Sequence, residues 1–200
     1  MVVDDHSQQR VRFLLSLSMT CMTMRFRLLP WIWERIECVG GSPGKLNTVV
    51  ETLRGDVSLA TSVKYFYAVP SPWVGLIRVL RRFMTVSGPW GDSTLPKLFK
   101  CLESLPNLHT LEMGEMGYYP PGRFRSLLEH VELPQVKALI LADYAYPLLR
   151  NCRNVEDVVY VAKHGVAPSE EFCEPLVSNQ DSKVKHLTVP LISWSNLSRK

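Results

Sequence analysis

The run Gly40-Gly41-Ser42-Pro43-Gly44-Lys45 is the stretch closest in residue type to a reactive motif. A phosphate-binding loop reads G-x-x-x-x-G-K-[ST], so that backbone N–H groups cradle the phosphates and the hydroxyl holds magnesium. Here the interval from Gly40 to Gly44-Lys45 is one residue short, Leu46 stands where the hydroxyl belongs, and Pro43 removes a donor. The segment reads as a plain loop. His6, His109, His130, His164 and His186 show neither H-E-x-x-H nor a Cys/His ligand spacing, so no metal and no cofactor are expected. There is no G-x-S-x-G elbow. Glu112 with Glu115 has the form of an acid/base pair. Glu170, Glu171 and Glu174 follow Ser169 and are better explained as the start of a helix. The chain is therefore expected to be non-enzymatic. A hydrolase-type enzyme stays open as an alternative, because Ser, His and Asp are frequent enough to meet in space.

Composition narrows the class. Hydrophobic residues make up 46% of the chain and charged residues 21%, which is ordinary for a globular protein. Net charge is +4, with the basic residues scattered in pairs such as Arg10/Arg12, Arg25/Arg27 and Arg81/Arg82, so nucleic acid is not an expected partner. Cys21, Cys38, Cys101, Cys152 and Cys173 are odd in number and contain no C-x-x-C, as expected of reduced thiols in the cytoplasm or nucleus. The apolar stretch Phe13 to Met24 follows Asp4 and Asp5, carries Ser16, Ser18 and Thr20, and is too short for a bilayer. Neither a signal peptide nor a membrane partner is expected.

The elements that would position any functional side chain are set by a recurrence. Five segments place apolar or small residues at i, i+3 and i+5: Val63-Phe66-Ala68, Leu108-Leu111-Met113, Val136-Leu139-Leu141, Val155-Val158-Tyr160 and Val184-Leu187-Val189. The last two positions alternate as in a half-buried strand. Leu105-Pro106 and Leu133-Pro134 precede two of them, consistent with proline's confinement to strand starts. Between these strands lie helical spacings: Leu46, Val49, Val50 and Leu53; Leu76, Ile77, Leu80, Phe83 and Met84; Leu95, Leu98, Phe99, Leu102 and Leu105, with Ser93 or Thr94 as N-cap; and Phe124, Leu127, Leu128 and Val131. In the amino-terminal part Leu14, Leu17, Cys21, Met24 and Leu28 share one helical face that Pro30 is expected to end. Trp31 to Ile36 then reads as a first strand.

Strand starts from Val63 through Leu108, Val136 and Val155 to Val184 are 45, 28, 19 and 29 residues apart. Leucine-rich repeats run at about 20 to 29 residues, so the last three intervals fit, and Pro70 to Asp92 reads as an insertion in the first. Such helix–strand units bury their apolar faces only by stacking. The expected fold is α/β: a short irregular leucine-rich-repeat-like solenoid with parallel strands over residues 46–200, behind a helical segment and first strand over residues 1–45. A doubly wound sheet uses the same alternation and is the alternative.

Two stretches carry a resemblance. Leu15-Ser16-Leu17-Ser18-Met19-Thr20-Cys21, followed by Met24-Arg25-Phe26-Arg27-Leu28-Leu29-Pro30-Trp31-Ile32-Trp33, resembles the second half of an F-box. The segments beginning Leu105-Pro106 and Leu133-Pro134 resemble the repeats behind it in many fungal F-box/leucine-rich-repeat proteins. The resemblance implies a ubiquitin-ligase receptor whose F-box docks on a cullin adaptor while the repeats capture a substrate. The leading Leu-Pro-x-Glu helix of an F-box has no counterpart in Met1 to Arg12, and Ser195 to Lys200 offers no capping unit, so a truncated, non-functional relative is a further alternative.

The expected function is protein–protein recognition by the exposed strand face. Alternation nominates Lys64, His109, Glu112, Lys137, Ile140, Glu156, Lys185 and Thr188 as contacts. Trp31, Trp33, Trp73, Trp90, Trp194 and Tyr118-Tyr119 lie largely beside prolines and are read either as interface aromatics or as plugs at the ends of the core.

Overall fold

A computed structural model describes residues 5–39, 43–69, 91–114, 121–142, 145–161 and 183–189. Elements follow in the order α1 (Asp5–Ser18), α2 (Met22–Trp33), β1 (Arg35–Val39), α3 (Pro43–Gly55), α4 (Val57–Ser62), β2 (Tyr65–Val69), α5 (Gly91–Glu103), β3 (Thr110–Met113), α6 (Pro121–Leu128), β4 (Ala138–Ala142), a 3-10 helix (Tyr146–Arg150), β5 (Asp157–Val161) and β6 (His186–Thr188). The expected helix over 76–84, the helix start at Ser169, and Trp73, Trp90, Trp194 and Tyr118-Tyr119 lie outside the described residues.

The chain is α/β, and its described residues form one six-stranded sheet in the order β1 to β6, every pair parallel. The sheet is open rather than closed into a barrel. A doubly wound sheet reverses its strand order at a switch point; the described strands follow one another without reversal.

In-register pairing lines up rows of side chains across the strands. Ile36, Phe66, Leu111, Leu139, Val158 and Leu187 form one row. Cys38, Ala68, Met113, Leu141 and Tyr160 form the next one on the same face. From Phe66 to Val158 the first row is fully buried against the helices. Each such side chain contributes roughly 1.5–3 kcal/mol relative to exposure. α3 packs on α5 and α5 on α6, where Phe99 and Phe124 meet edge to face at 5.9 Å. At β6 the burial stops: Leu187 is 49% exposed, and Val184 and Val189 only pack partly against the core.

The strand starts share one backbone arrangement. A tight turn closes on Val63, Leu108, Val136 and Val155, each donating to the carbonyl three residues back. The next two N–H groups then converge on a single carbonyl of the preceding strand's lead-in residue. Lys64 and Tyr65 donate to Glu34, His109 and Thr110 to Lys64, Lys137 and Ala138 to His109, Glu156 and Asp157 to Lys137, and Lys185 and His186 to Glu156, all within 2.7–3.1 Å. From Leu108 onward, the residue just before the first apolar position of each unit also reaches back. Asn107 donates to the Thr61 carbonyl (2.6 Å), Gln135 to that of Leu102 (2.8 Å) and Asn154 to that of Pro134 (2.8 Å), while Lys183 donates to the Asn154 side chain (2.7 Å).

The amino-terminal part departs from expectation. The single face from Leu14 to Leu28 is divided between α1 and α2, which break at Met19 to Cys21. The Cys21 thiol caps α2 by accepting the Met24 N–H at 3.4 Å. Cys21 and Met24 are exposed rather than buried. Pro30 sits inside α2, and Trp31 to Trp33 are helical, so the first strand starts only at Arg35. Packing of Leu29 and Trp33 on the core holds the last turn of α2 together across the proline. α3 starts at Pro43, so the loop read from Gly40 to Gly44 ends earlier than expected. α5 begins at Gly91, ahead of the expected caps, with Thr94 buried. α6 stops at Leu128, leaving Val131 buried in the following loop.

Candidate functional site

Three rows of side chains stand apart from the core. The lead-in row just before the strands runs Glu34, Lys64, His109, Lys137, Glu156 and Lys185. The next runs Arg35, Tyr65, Thr110, Ala138, Asp157 and His186, and a third, two residues on, runs Glu37, Tyr67, Glu112, Ile140, Val159 and Thr188. The strands space neighbours in each row by about 4.8 Å, so charge in one strand is felt in the next.

Opposite charges meet along the lead-in row. Glu34 accepts from Lys64 Nζ at 3.1 Å and lies 3.5 Å from Arg10 of α1. Glu156 accepts from Lys185 Nζ at 2.6 Å, with Lys137 Nζ at 3.9 Å. The hydrogen bond from Lys185 holds the Glu156 carboxyl below the ordinary carboxylate range, and Glu156 in turn raises the Lys185 ammonium. Both groups face solvent, where such pairs order the surface more than they stabilise it. His186 Nδ1 lies 2.7 Å from Asp157 Oδ1, and His109 Nδ1 lies 3.2 Å from Thr110 Oγ1.

At the β1–β3 end the rows interlock. Arg35 Nε donates to Glu37 at 2.7 Å, its guanidinium lies over the Tyr65 ring at 4.1 Å, and the Tyr65 hydroxyl donates to Glu112. Burial, and then the hydrogen bond to Glu112, push the Tyr65 phenol up. Tyr67 lies between Glu37 and Glu112 on adjacent strands and is 5% exposed although it stands outside the core cluster; burial, then the two carboxylates, push its phenol up to about 12.

The residues nominated from sequence fall into two of the three rows. Lys64, His109, Lys137, Glu156 and Lys185 occupy the lead-in row, and Glu112, Ile140 and Thr188 the third. Lys64, His109, Lys185 and Thr188 are exposed, while Glu112, Lys137, Ile140 and Glu156 are half-buried. Sequence reasoning read His186 as a solvent-face residue but missed the rest of the middle row, above all Tyr65 and Asp157, and both charged residues of β1. The signal for the middle row was present: its members from Tyr65 to His186 directly precede the inward Phe66, Leu111, Leu139, Val158 and Leu187. Glu37 lay beyond the strand read from Trp31 to Ile36, and Arg35 stood near its end rather than at its start.

A larger hollow of about 500 Å³ opens where α6 meets the 3-10 helix, lined by Arg125, Glu129, Glu132, Arg150, Asn151 and Arg153 among others, and none of the eight nominated residues borders it. Among the described residues no group of three or more His, Cys, Asp or Glu side chains could hold a metal ion, and no helix is long and apolar enough to cross a membrane. No protein-family model matches the chain, and no curated protein or solved structure does either.

Proposed function

We propose that the chain is a non-enzymatic protein-interaction module: a short, irregular leucine-rich-repeat solenoid whose outward strand rows recognise another protein, set behind an F-box-like helical pair. The observation that carries this reading is the repeated strand start, in which five successive strands hang their paired N–H groups on the preceding lead-in carbonyl. Sequential parallel order and the reach-back bonds of Asn107, Gln135 and Asn154 support stacked units. The resulting rows present charged and aromatic side chains on a broad face, which suits a protein partner better than a small molecule. The test is affinity capture from a fungal lysate with the full chain and with a charge-reversed variant combining K64E, K137E, E156K and K185E. Proteins recovered by the first and lost by the second support the reading; identical recovery refutes it.

A second reading, that the chain is a ubiquitin-ligase substrate receptor, is favoured by the surface of α1 and α2. Phe13, Met19, Met22, Phe26 and Trp31 are each 57–79% exposed there, an apolar surface of the kind that marks a docking site. Direct binding of the purified cullin adaptor to the full chain, lost on M22E and F26E substitution, supports this role. Absence of binding leaves the strand-face reading on its own.

A further inference from the structure

Where the helical pair meets the sheet, an open cleft of about 310 Å³ is lined by Arg10 of α1, Trp31 of α2, and Glu34, Arg35, Lys64 and Tyr65 at the starts of β1 and β2, among others. Its size is at the lower end for ligand pockets, about 300 Å³, which suits one or two side chains. Two cations, Lys64 and Arg10, face one carboxylate here, while Arg35 is engaged by Glu37 at 2.7 Å. Glu34 is shared between Lys64 at 3.1 Å and Arg10 at 3.5 Å. One face of each ring is used by the chain's own guanidinium groups, Arg10 lying 5.9 Å from the Trp31 centroid and Arg35 lying 4.1 Å from that of Tyr65. A cation from a partner would meet these guanidinium groups and a carboxylate already doubly engaged. An anion would find Lys64 and Arg10, with side chains 62% and 58% exposed, holding donors to spare after a single contact each to Glu34.

We propose that this cleft binds a glutamate or aspartate side chain of a partner polypeptide, with Arg10 and Lys64 donating to its carboxylate and the exposed Trp31 ring covering its apolar stem. The proposal rests on the protein-interaction reading and names the chemistry of the partner segment. Charge-assisted donation to a carboxylate is the stronger kind of hydrogen bond, and it weakens with salt at an open site.

The test is fluorescence anisotropy of the full-length chain with a labelled Glu-Phe-Glu peptide, its Gln-Phe-Gln counterpart and its Lys-Phe-Lys counterpart. Saturable binding of the Glu peptide is expected, weakened by salt. The Gln peptide, and the R10A/K64A double variant with the Glu peptide, are expected to bind at least about tenfold more weakly, a factor matching one charged contact. K64R retains binding, and K97A/K100A, exposed on α5 away from the strand rows, leaves it unchanged. Equal affinity for the Glu and Gln peptides, preference for the Lys peptide, no saturable binding, loss in K64R, or an equal loss in K97A/K100A each overturns the proposal. The lysate capture separates this from failure of the parent reading: capture abolished by charge reversal of the strand rows, together with a failed peptide test, removes the cleft and leaves the recognition face standing.

Discussion

Leu139 and Leu187 occupy the same row of the sheet, joined through Val158, yet Leu139 is fully buried and Leu187 is 49% exposed. Identical side chains at equivalent positions should therefore differ in what their removal costs. Leu139→Ala is expected to destabilise the fold by about 2–5 kcal/mol, since it removes buried contacts and leaves a cavity. Leu187→Ala is expected to cost less than about 1 kcal/mol, as for a largely solvated surface position. Urea unfolding of the two variants measures this, and equal losses would show that Leu187 is covered in solution.

Asn151 is expected to be more important than its half-buried position suggests. Its Nδ2 donates at 2.7 Å to both the Leu128 and Val131 carbonyls, and its own carbonyl accepts the Leu133 N–H at 2.9 Å, so one residue ties the end of the 3-10 helix to the loop after α6. Asn151→Ala leaves two carbonyls without this donor, at about 1–3 kcal/mol. Asn107→Ala, which loses one exposed bond to Thr61, should cost about 0.5–1.5 kcal/mol. Denaturant midpoints that rank the two variants the other way would refute the assignment.

The strands from β2 to β5 were legible because an inward row demands apolar residues at fixed spacing, and Val63-Phe66-Ala68 and its three successors satisfy that demand whatever the helices do. The same spacing in Val184-Leu187-Val189 gives a strand segment of which only Val184 and Val189 pack partly on the core, since burial depends on neighbours that the local pattern does not encode. The first strand was misplaced for a physical reason. Trp31, Ile32 and Trp33 have strand-favouring side chains next to a proline, but contacts of Leu29 and Trp33 with the core outweigh both local preferences. Of the nominated residues, alternation accounts for Glu112, Ile140 and Thr188, which stand next to inward residues; the five lead-in residues share the parity of the core row and face outward because they precede the strands. The rest, such as the Arg35–Tyr65 stack and the Tyr65–Glu112 bond, depends on cross-strand register, which a single segment does not reveal.

Thiol labelling should divide the described cysteines by burial. Cys21 is exposed at the start of α2, whereas Cys101 is 1% and Cys152 3% exposed. Burial pushes the Cys101 thiol up to about 11 and that of Cys152 up to about 12, and it pushes half-buried Cys38 up to about 11, so little thiolate forms at neutral pH. Iodoacetamide on the folded chain, followed by peptide mass mapping, should modify Cys21 first and reach Cys101 and Cys152 only once urea unfolds the chain. Early modification of Cys152 would contradict its place in the core.

Alkaline pH should weaken the β1–β3 end of the sheet first. Burial beside Glu112 and Glu37 keeps the Tyr67 proton on up to about 12, whereas an unperturbed phenol releases it near 10. Between those values the folded chain binds the proton and the unfolded chain does not. This contribution to stability is therefore complete below pH 10 and is lost as pH rises through about 12. Tyr65 shifts in the same direction through burial and its bond to Glu112. Wild type should lose stability over this window more steeply than Tyr67→Phe, which has no phenol to ionise. Every other ionisable group is common to the two proteins, so the difference between their urea midpoints isolates the phenol. Parallel pH profiles would mean that Tyr67 ionises as freely in the fold as in the unfolded chain, and that its place between the two carboxylates is wrong.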